Sequence, residues 1–340
     1  MKTEKTHIVV IGAGPVGLFS VFQCGMLDMQ CHVVDALPEI GGQCSALYPE
    51  KPIYDIPSRP MVTGGDLITE LHTQAAPFHP VYHLNQQVNG LEKTDEGWRV
   101  TTSAGTVIEC RVIIIAAGAG AFGPNRPPLD NIRDFENTSV FYMVRQKEDF
   151  RDKRVVIAGG GDSAVDWALS LHGIASDIIM IHRRDKFRAL PESVSQMMAI
   201  AHGNPDKFQI LTPYQLSGLK GANGRLESVM LNHTDDHEIE VKADCLLAFY
   251  GLVPQLGPIA TWGLNLDGHT IAVDQATAET SVPSIYAVGD IAGYSHKLKL
   301  ILTGFAEVAS AAHHAYGYVY PDKALHFTYS TSKGVGDKPV

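Results

Sequence analysis

Short apolar runs followed by helical periodicity occur twice in this chain. The first pattern begins with His7–Ile11, a β-branched run that ends in glycine and predicts a buried strand. Val16–Leu27 then predicts a helix, and Cys31–Asp35 predicts a second strand. A strand, a helix and a strand within about thirty residues have the size of one parallel βαβ unit.

A second copy of this pattern begins near residue 154. Val155–Ala158 predicts a strand, Gly159–Gly161 a turn, Ser163–Gly173 a helix and Ile178–Ile181 the next strand. Two such units in one chain predict two nucleotide-binding modules.

Three further segments predict how the modules are connected. Gly118–Pro128, rich in glycine and proline, is a connector and a predicted hinge. Ile285–Val288 is an apolar strand, and Thr303–Tyr318 has the pattern of a final helix. We expect this late strand and helix to return to the first module, so that the second module is an insertion.

Composition excludes several classes of function. The 340 residues carry a formal net charge of -10, which argues against general nucleic-acid binding and against a polybasic membrane surface. No uninterrupted apolar stretch reaches the roughly 18 residues of a membrane span, and glycines interrupt the apolar run after Ile8, which argues against a signal peptide. The five scattered cysteines form no CxxC pair, so we expect reduced thiols in a cytoplasmic protein, without a disulfide framework or a metal site.

The first glycine motif has the form GxGxxG between a predicted strand and a predicted helix. Gly12 permits a tight turn, Gly14 lets the backbone approach a pyrophosphate, and Gly17 allows close packing of helix on strand. Asp35 ends the next strand, where a carboxylate accepts hydrogen bonds from a ribose diol and repels a 2′-phosphate. The competing interpretation is a tight structural turn, which would explain the glycines alone. The strand, the helix and Asp35 together with the glycines favour an FAD or NAD site.

The second glycine motif has the form GxGxxA. Basic residues follow its next strand, at the position where the first module carries an acidic residue. Gly159, Gly161 and Ser163 belong to the motif. The candidate 2′-phosphate ligands after the next strand are His182, Arg183, Arg184 and Arg188. Guanidinium groups bind phosphate as planar forks, so this module is predicted to select NADP. The competing interpretation is a solvated basic turn.

Both motifs together resemble the two-dinucleotide-binding flavoproteins, which include the thioredoxin and glutathione reductases. Gly41–Gln43 and Ser284–Asp290 agree with that group, and the aspartate of its late FAD motif holds the ribityl chain. The redox cysteines of the group are missing, however. Tyr142 and Arg145 stand where thioredoxin reductases carry their CxxC, and a dithiol relay needs two sulfurs.

The closest resemblance is to ferredoxin–NADP⁺ reductases of thioredoxin-reductase-like type. Gly41–Lys51 and Lys297–Phe305 are similar to two signatures of that family, and Tyr329–Ser332 is similar to its C-terminal tail. In the family's homodimers this tail covers the flavin of the partner subunit. Carried over by position, its FAD contacts are Asp35, Gln43, Tyr48, Val88, Phe122, Asp290 and Thr331. Tyr48 and Tyr329 would stack on the two faces of the isoalloxazine.

The resemblance implies hydride transfer between NADPH and FAD, and single-electron exchange with ferredoxin or flavodoxin. No side chain is expected to act as acid, base or nucleophile. Two alternatives stay open: a thiol or peroxide reductase that uses the lone Cys44, and a non-enzymatic NADPH sensor. An acidic carrier would need a basic docking surface, for which His296–Lys299 and Lys51 are candidates.

The implied fold class is α/β, with two Rossmann-like three-layer domains. The predicted FAD domain comprises residues 1–118 and 284–340, and the predicted NADPH domain, residues 119–283, is inserted into it.

Overall fold

A computed structural model describes residues 3–326, apart from the side chains of residues 121–124 and 252–254. The chain divides into two compact units, Met1–Phe122 with Pro254–Val340, and Gly123–Val253. The second unit is thus an insertion into the first, and two Rossmann-type α/β units confirm the predicted fold class.

The strands and helices occur in the following order along the chain. The first part contains β1 Thr3–Lys5, β2 Ile8–Ile11, α1 Pro15–Met26, β3 Cys31–Val34, α2 Gln43–Ala46, β4 Pro52–Ile53, β5 Val62–Thr63, α3 Gly64–Ala75, β6 Val81–His83, β7 Val88–Lys93, β8 Trp98–Thr102, β9 Val107–Cys110, β10 Val112–Ile115 and β11 Ala121–Pro124. The middle part contains β12 Val140–Phe141, β13 Arg154–Ala158, α4 Asp162–Leu171, β14 Asp177–Ile181, α5 Pro191–Gly203, β15 Phe208–Leu211, β16 Tyr214–Ala222, β17 Arg225–His233, β18 Glu238–Lys242, β19 Cys245–Ala248 and β20 Leu252–Gln255. The last part contains β21 Leu266–Asp267, β22 Thr270–Ala272, β23 Ile285–Ala287, β24 Ala292–Gly293 and α6 Ile301–Val319.

The first unit has three layers around a parallel sheet in the order β23-β10-β2-β3-β6. Successive residues of a strand point to opposite faces. Ile8 and Val10 therefore join a core with the small residues of α6, such as Ala311. Val9 and Ile11 join the other core, which they share with the four-stranded sheet β1-β9-β8-β7.

The second unit repeats the parallel sheet in the order β12-β19-β13-β14-β15. One face of this sheet packs on the antiparallel sheet β16-β17-β18, through a core that includes Val156, Leu246 and Val229. Each unit therefore buries a complete apolar core of its own.

The boundary of the inserted unit differs from the sequence division. Residues 254–283, expected in the second domain, belong to the first unit. The reason is packing, because Ile259, Leu264 and Ile271 are buried in the core beneath the first parallel sheet. Among the described residues, no helix has the length and hydropathy needed to cross a bilayer.

The turn between β2 and α1 brings backbone against backbone. Gly12 has a φ of 107°, and a Cβ there would lie 2.4 Å from the Ala116 carbonyl oxygen. A Cβ on Gly17 would lie 1.9 Å from the Gly12 carbonyl oxygen. By contrast, a Cβ on Gly14 would meet no described atom within 4 Å, and its φ of -70° suits any residue.

These contacts predict that one glycine substitution lowers stability and that another leaves it unchanged. Gly17→Ala forces the helix away from rigid backbone and should lower the unfolding free energy by about 1–3 kcal/mol. Gly14→Ala, the matched control, should leave stability unchanged within about 0.5 kcal/mol. Urea denaturation of ligand-free protein measures both. Equal stability of the two variants would contradict the packing role of Gly17.

Candidate functional site

A cavity of about 320 Å³ opens at the carboxyl ends of the strands of the first parallel sheet. Ligands of open α/β sheets bind at this edge, and the volume is within the range of small-molecule sites. Seven predicted FAD residues line it: Gly12, Gly14, Asp35, Gln43, Tyr48, Val88 and Asp290. Gly17 does not line the cavity, since its role is to pack α1 against the turn.

The floor of the cavity is backbone at the start of α1. Gly14 is the N-cap of this helix and Pro15 its first residue, so the N–H groups of the first turn have no partner within the helix. A Cβ on Gly42 would lie 3.1 Å from the Gly14 Cα. The glycine loop that contains Gly42 therefore contacts the N-terminus of α1. A helix N-terminus with unobstructed backbone is suited to bind an anion.

Asp35 is held at the end of β3 by the same turn. Its Oδ2 accepts a hydrogen bond from the Ala13 N–H at 2.6 Å, and its Oδ1 accepts one from the Leu37 N–H at 2.8 Å. Burial raises the pKa of the Asp35 carboxyl, while these two hydrogen bonds oppose the shift. Each oxygen retains a lone pair, so the carboxylate can still accept hydrogen bonds from a diol.

The late motif is anchored by a residue that the sequence analysis missed. Gly289 N–H donates to Oε2 of Glu307 at 2.7 Å, and the Tyr294 hydroxyl donates to Oε1 at 2.7 Å. The Glu307 side chain is 6% exposed and belongs to α6. An acidic residue in an otherwise apolar helical stripe was the sequence signal that could have identified it.

Lys297, expected at a docking surface, is buried instead. Its ammonium forms an ion pair with Glu307 and lies 5.1 Å from the centre of the Tyr294 ring. The prediction that Lys297 binds an acidic partner is therefore wrong, because its charge is already compensated inside the unit. His296 and Lys299 of the same segment are exposed.

Cys44 is buried in an apolar cluster against which Tyr48 packs. Its Sγ lies 3.9 Å from the Tyr48 hydroxyl oxygen, and burial raises the pKa of the thiol to about 11. Burial also raises the pKa of Tyr48 well above its usual range. A thiol with such a pKa is not the thiolate that attacks disulfides or peroxides at neutral pH.

Several lining residues come from segments without a recognised motif. They are Leu37, Gln86, Gln87, Leu256 and Pro258. Phe122 lies in β11, whose side chains are not described, and Tyr329 and Thr331 lie outside the described residues. Their expected flavin contacts stay predictions.

The second unit repeats the glycine turn at the end of β13. A Cβ on Gly159 would lie 2.8 Å from the Phe249 carbonyl oxygen, so this position needs glycine for packing. Gly161 is the N-cap of α4, and a Cβ there would meet no described atom within 4 Å. Ser163 is exposed in the first turn of that helix.

The basic loop after β14 lies against this turn. Arg188 N–H donates to the Gly160 carbonyl at 2.7 Å, which joins the loop to the glycine motif. The His182 ring stacks on Phe187 with 5.3 Å between ring centres, and burial lowers its pKa, as does the charge of Arg188. Its buried Nε2 has no hydrogen-bond partner among the described residues.

The three arginines of this loop are exposed. Within residues 3–326, Arg183, Arg184 and Arg188 form no ion pair with a carboxylate. The structure thus brings together the predicted glycines, the orphaned imidazole and three available cations within one unit.

The comparisons with known proteins agree with this arrangement. The pyridine nucleotide-disulphide oxidoreductase family matches residues 6–316. A ferredoxin–NADP reductase of Rickettsia rickettsii (strain Sheila Smith) is 56% identical over 335 residues, which covers 98% of each chain. A ferredoxin–NADP reductase of Rhodospirillum rubrum is 56% identical over 340 residues, which covers 99% of this chain and 98% of the relative.

A solved structure supports the fold alone. The thioredoxin reductase of Lactococcus lactis matches with a TM-score of 0.79 at 23% identity, covering 93% of this chain and 99% of the other. The chain belongs to the pyridine nucleotide-disulphide oxidoreductase family, and its ferredoxin–NADP reductase relatives confirm the resemblance predicted from its motifs.

Proposed function

We propose that this oxidoreductase binds FAD in its first unit and NADPH in its second, and exchanges electrons between NADPH and a one-electron carrier, ferredoxin or flavodoxin. The observation that carries the proposal is the cavity of the first unit, where seven residues assigned from sequence line one space. Relatives at 56% identity named ferredoxin–NADP reductase support the same activity.

The residues of the first unit fit FAD. Gly14 leaves room at the N-terminus of α1 for a pyrophosphate, and Asp35 offers acceptors for an adenosine ribose. Asp290 stands on the cavity wall, where its carboxylate would hold ribityl hydroxyls. Bound flavin supplies the chemistry, accepting a hydride and exchanging electrons one at a time, while the protein orients it and excludes water.

The residues of the second unit fit NADPH. The partnerless Nε2 of His182 is a buried polar atom that a ligand could satisfy, and such atoms are rare in folded proteins. Arg183, Arg184 and Arg188 provide the planar donors that a 2′-phosphate prefers.

Helix α6 contributes its positive end to the cavity. Leu300 is the N-cap of the helix, Ile301 is its first residue, and both line the cavity. The partial positive charge of a helix N-terminus stabilises negative charge placed in its first turn. We infer that α6 favours the electron-rich state of the bound cofactor without any acid or base from the protein.

The partner and the assembly extend this proposal. A carrier that is itself acidic must approach a locally basic face, because the chain has a net charge of -10. In the candidate segment His296–Lys299, the Lys297 side chain is buried and Lys299 is exposed. Lys299 therefore stays the candidate lysine of this segment for docking. By resemblance, the protein is a cytoplasmic homodimer in which Tyr329 and Thr331 complete the flavin site.

Removal of one arginine should weaken the binding of NADPH without weakening the binding of NADH. Loss of a charge-assisted phosphate contact costs about 1.5–3 kcal/mol, so Arg184→Ala should raise the KM for NADPH at least about tenfold. The KM for NADH should hardly change. The control is Arg225→Ala, because Arg225 is an exposed arginine on β17 of the same unit. This variant should change neither KM. An equal rise for both cofactors would rule out the 2′-phosphate role.

Neutralising Glu307 should destabilise the first unit. Glu307→Gln leaves the Lys297 ammonium buried without its counter-charge, which costs about 3–5 kcal/mol of unfolding free energy. The double variant Glu307→Gln with Lys297→Met removes both charges and should lose less. Urea denaturation, read together with the rate of FAD release, measures the effect. If the double variant loses as much unfolding free energy as the single variant, the unpaired Lys297 charge is not the cause of the destabilisation.

Rates of electron transfer by the natural chain and by Cys44→Ser test the activity and the role of the thiol. NADPH-dependent reduction of cytochrome c should rise when ferredoxin is added, and Cys44→Ser should retain most of this rate. The physical reason is that the buried thiol stays protonated at neutral pH. No response to any one-electron acceptor would refute the proposed function. A loss beyond about a hundredfold, some 2.7 kcal/mol, with flavin still bound would instead support thiol chemistry.

A further inference from the structure

Three metal-ligating side chains of the first unit converge outside the cavity. His32 lies on β3, His83 on β6 and Glu4 on β1, and none of them lines the cavity. They form the one group of at least three such side chains with converging donor atoms among the described residues. The cluster plays no part in the proposed electron transfer.

The distances between the donor atoms match the edges of a tetrahedron around a metal. His32 Nδ1 lies 3.0 Å from His83 Nε2, and Oε2 of Glu4 lies 3.4 Å from the former and 3.7 Å from the latter. Zinc bonds to nitrogen and oxygen of about 2.0–2.2 Å in tetrahedral geometry require ligand atoms about 3.3–3.6 Å apart. The triangle therefore needs shifts of only a few tenths of an ångström to hold such an ion.

The sheet register holds the two rings on one face. His32 pairs with Val81, so His83, two residues further along β6, projects to the same side. Glu4 arrives from the edge strand β1, which pairs with β9 in the neighbouring sheet. Because the ligands come from three strands, no spacing motif reveals them in the sequence. The expectation of no metal site rested on the absence of paired cysteines and considered no histidine cluster.

The charge and the donor types of the cluster favour a cation. His32 and His83 are 9% and 7% exposed, and Glu4 supplies one negative charge beside them. Two imidazoles with a carboxylate are a donor set that favours borderline divalent ions over Mg²⁺ or Ca²⁺, which prefer oxygen ligands. The Glu4 side chain is 38% exposed, so that water can reach the fourth position.

We propose that Glu4, His32 and His83 bind one divalent transition-metal ion, with Zn²⁺ as the best fit, and that water completes its coordination. The ion would fasten β1 to β3 and β6 and so join the two sheets of the first unit at this edge. Its role would be structural, separate from the flavin cavity.

Zinc binding to the FAD-loaded protein tests the proposal. After treatment with a chelator and its removal, the protein is dialysed against Zn²⁺ and the bound metal is counted by elemental analysis. We expect one Zn²⁺ per chain and a rise in Tm at saturation, because an ion that binds only the folded state stabilises it. No stoichiometric binding to the natural chain would overturn the proposal without recourse to any variant.

Variants locate the ion. His32→Gln and His83→Gln should each weaken Zn²⁺ binding by more than the roughly 10–100-fold lost when a second-shell partner is removed. The matched control is His237→Gln in the second unit, where His233 and His237 stack with 4.5 Å between ring centres. This control should bind Zn²⁺ like the natural chain. Retained binding in His83→Gln, or an equal loss in His237→Gln, would place the ion elsewhere and overturn the assignment.

Discussion

The contact between the Gly12 carbonyl and the start of α1 is the constraint on which the first unit depends. A helix can begin this close to the sheet only where Gly17 carries no side chain, and the Ala116 carbonyl presses on the same turn from the neighbouring strand. This contact fixes the direction of α1 and leaves its N-terminus facing the cavity. In the second unit, Gly159 lies against the Phe249 carbonyl as Gly12 lies against the Ala116 carbonyl.

A buried ion pair anchors the late motif, whose Gly289 and Asp290 line the cavity. Glu307 connects α6 to the Gly289 N–H, and thereby determines where the neighbouring Asp290 stands. Burying this carboxylate would be unfavourable without a cation, and Lys297 supplies one from the loop before the helix. Lys297, which the sequence predicts at a docking surface, is thus part of the scaffold that positions the late motif.

The sequence predicts the features that depend on neighbours along the chain. Glycine turns, apolar strands and the basic loop after β14 are local patterns, so the positions of both glycine motifs, Asp35 and the basic loop could be predicted. The phosphate role of Arg184 stays a prediction. The burial of the Lys297 side chain depends on Glu307, ten residues later in α6. The membership of residues 254–283 depends on packing against β2. The Glu4, His32 and His83 cluster joins three strands, which no periodicity encodes.

The central claim is that electrons move between NADPH and a carrier through a flavin held in the first unit. Rapid anaerobic mixing of FAD-loaded protein with NADPH, followed by oxidised ferredoxin, tests this most directly. The account predicts loss of the oxidised flavin's visible absorbance with NADPH, much slower loss with NADH, and recovery when ferredoxin is added. An absorbance that NADPH leaves unchanged, although dithionite removes it, would contradict the claim.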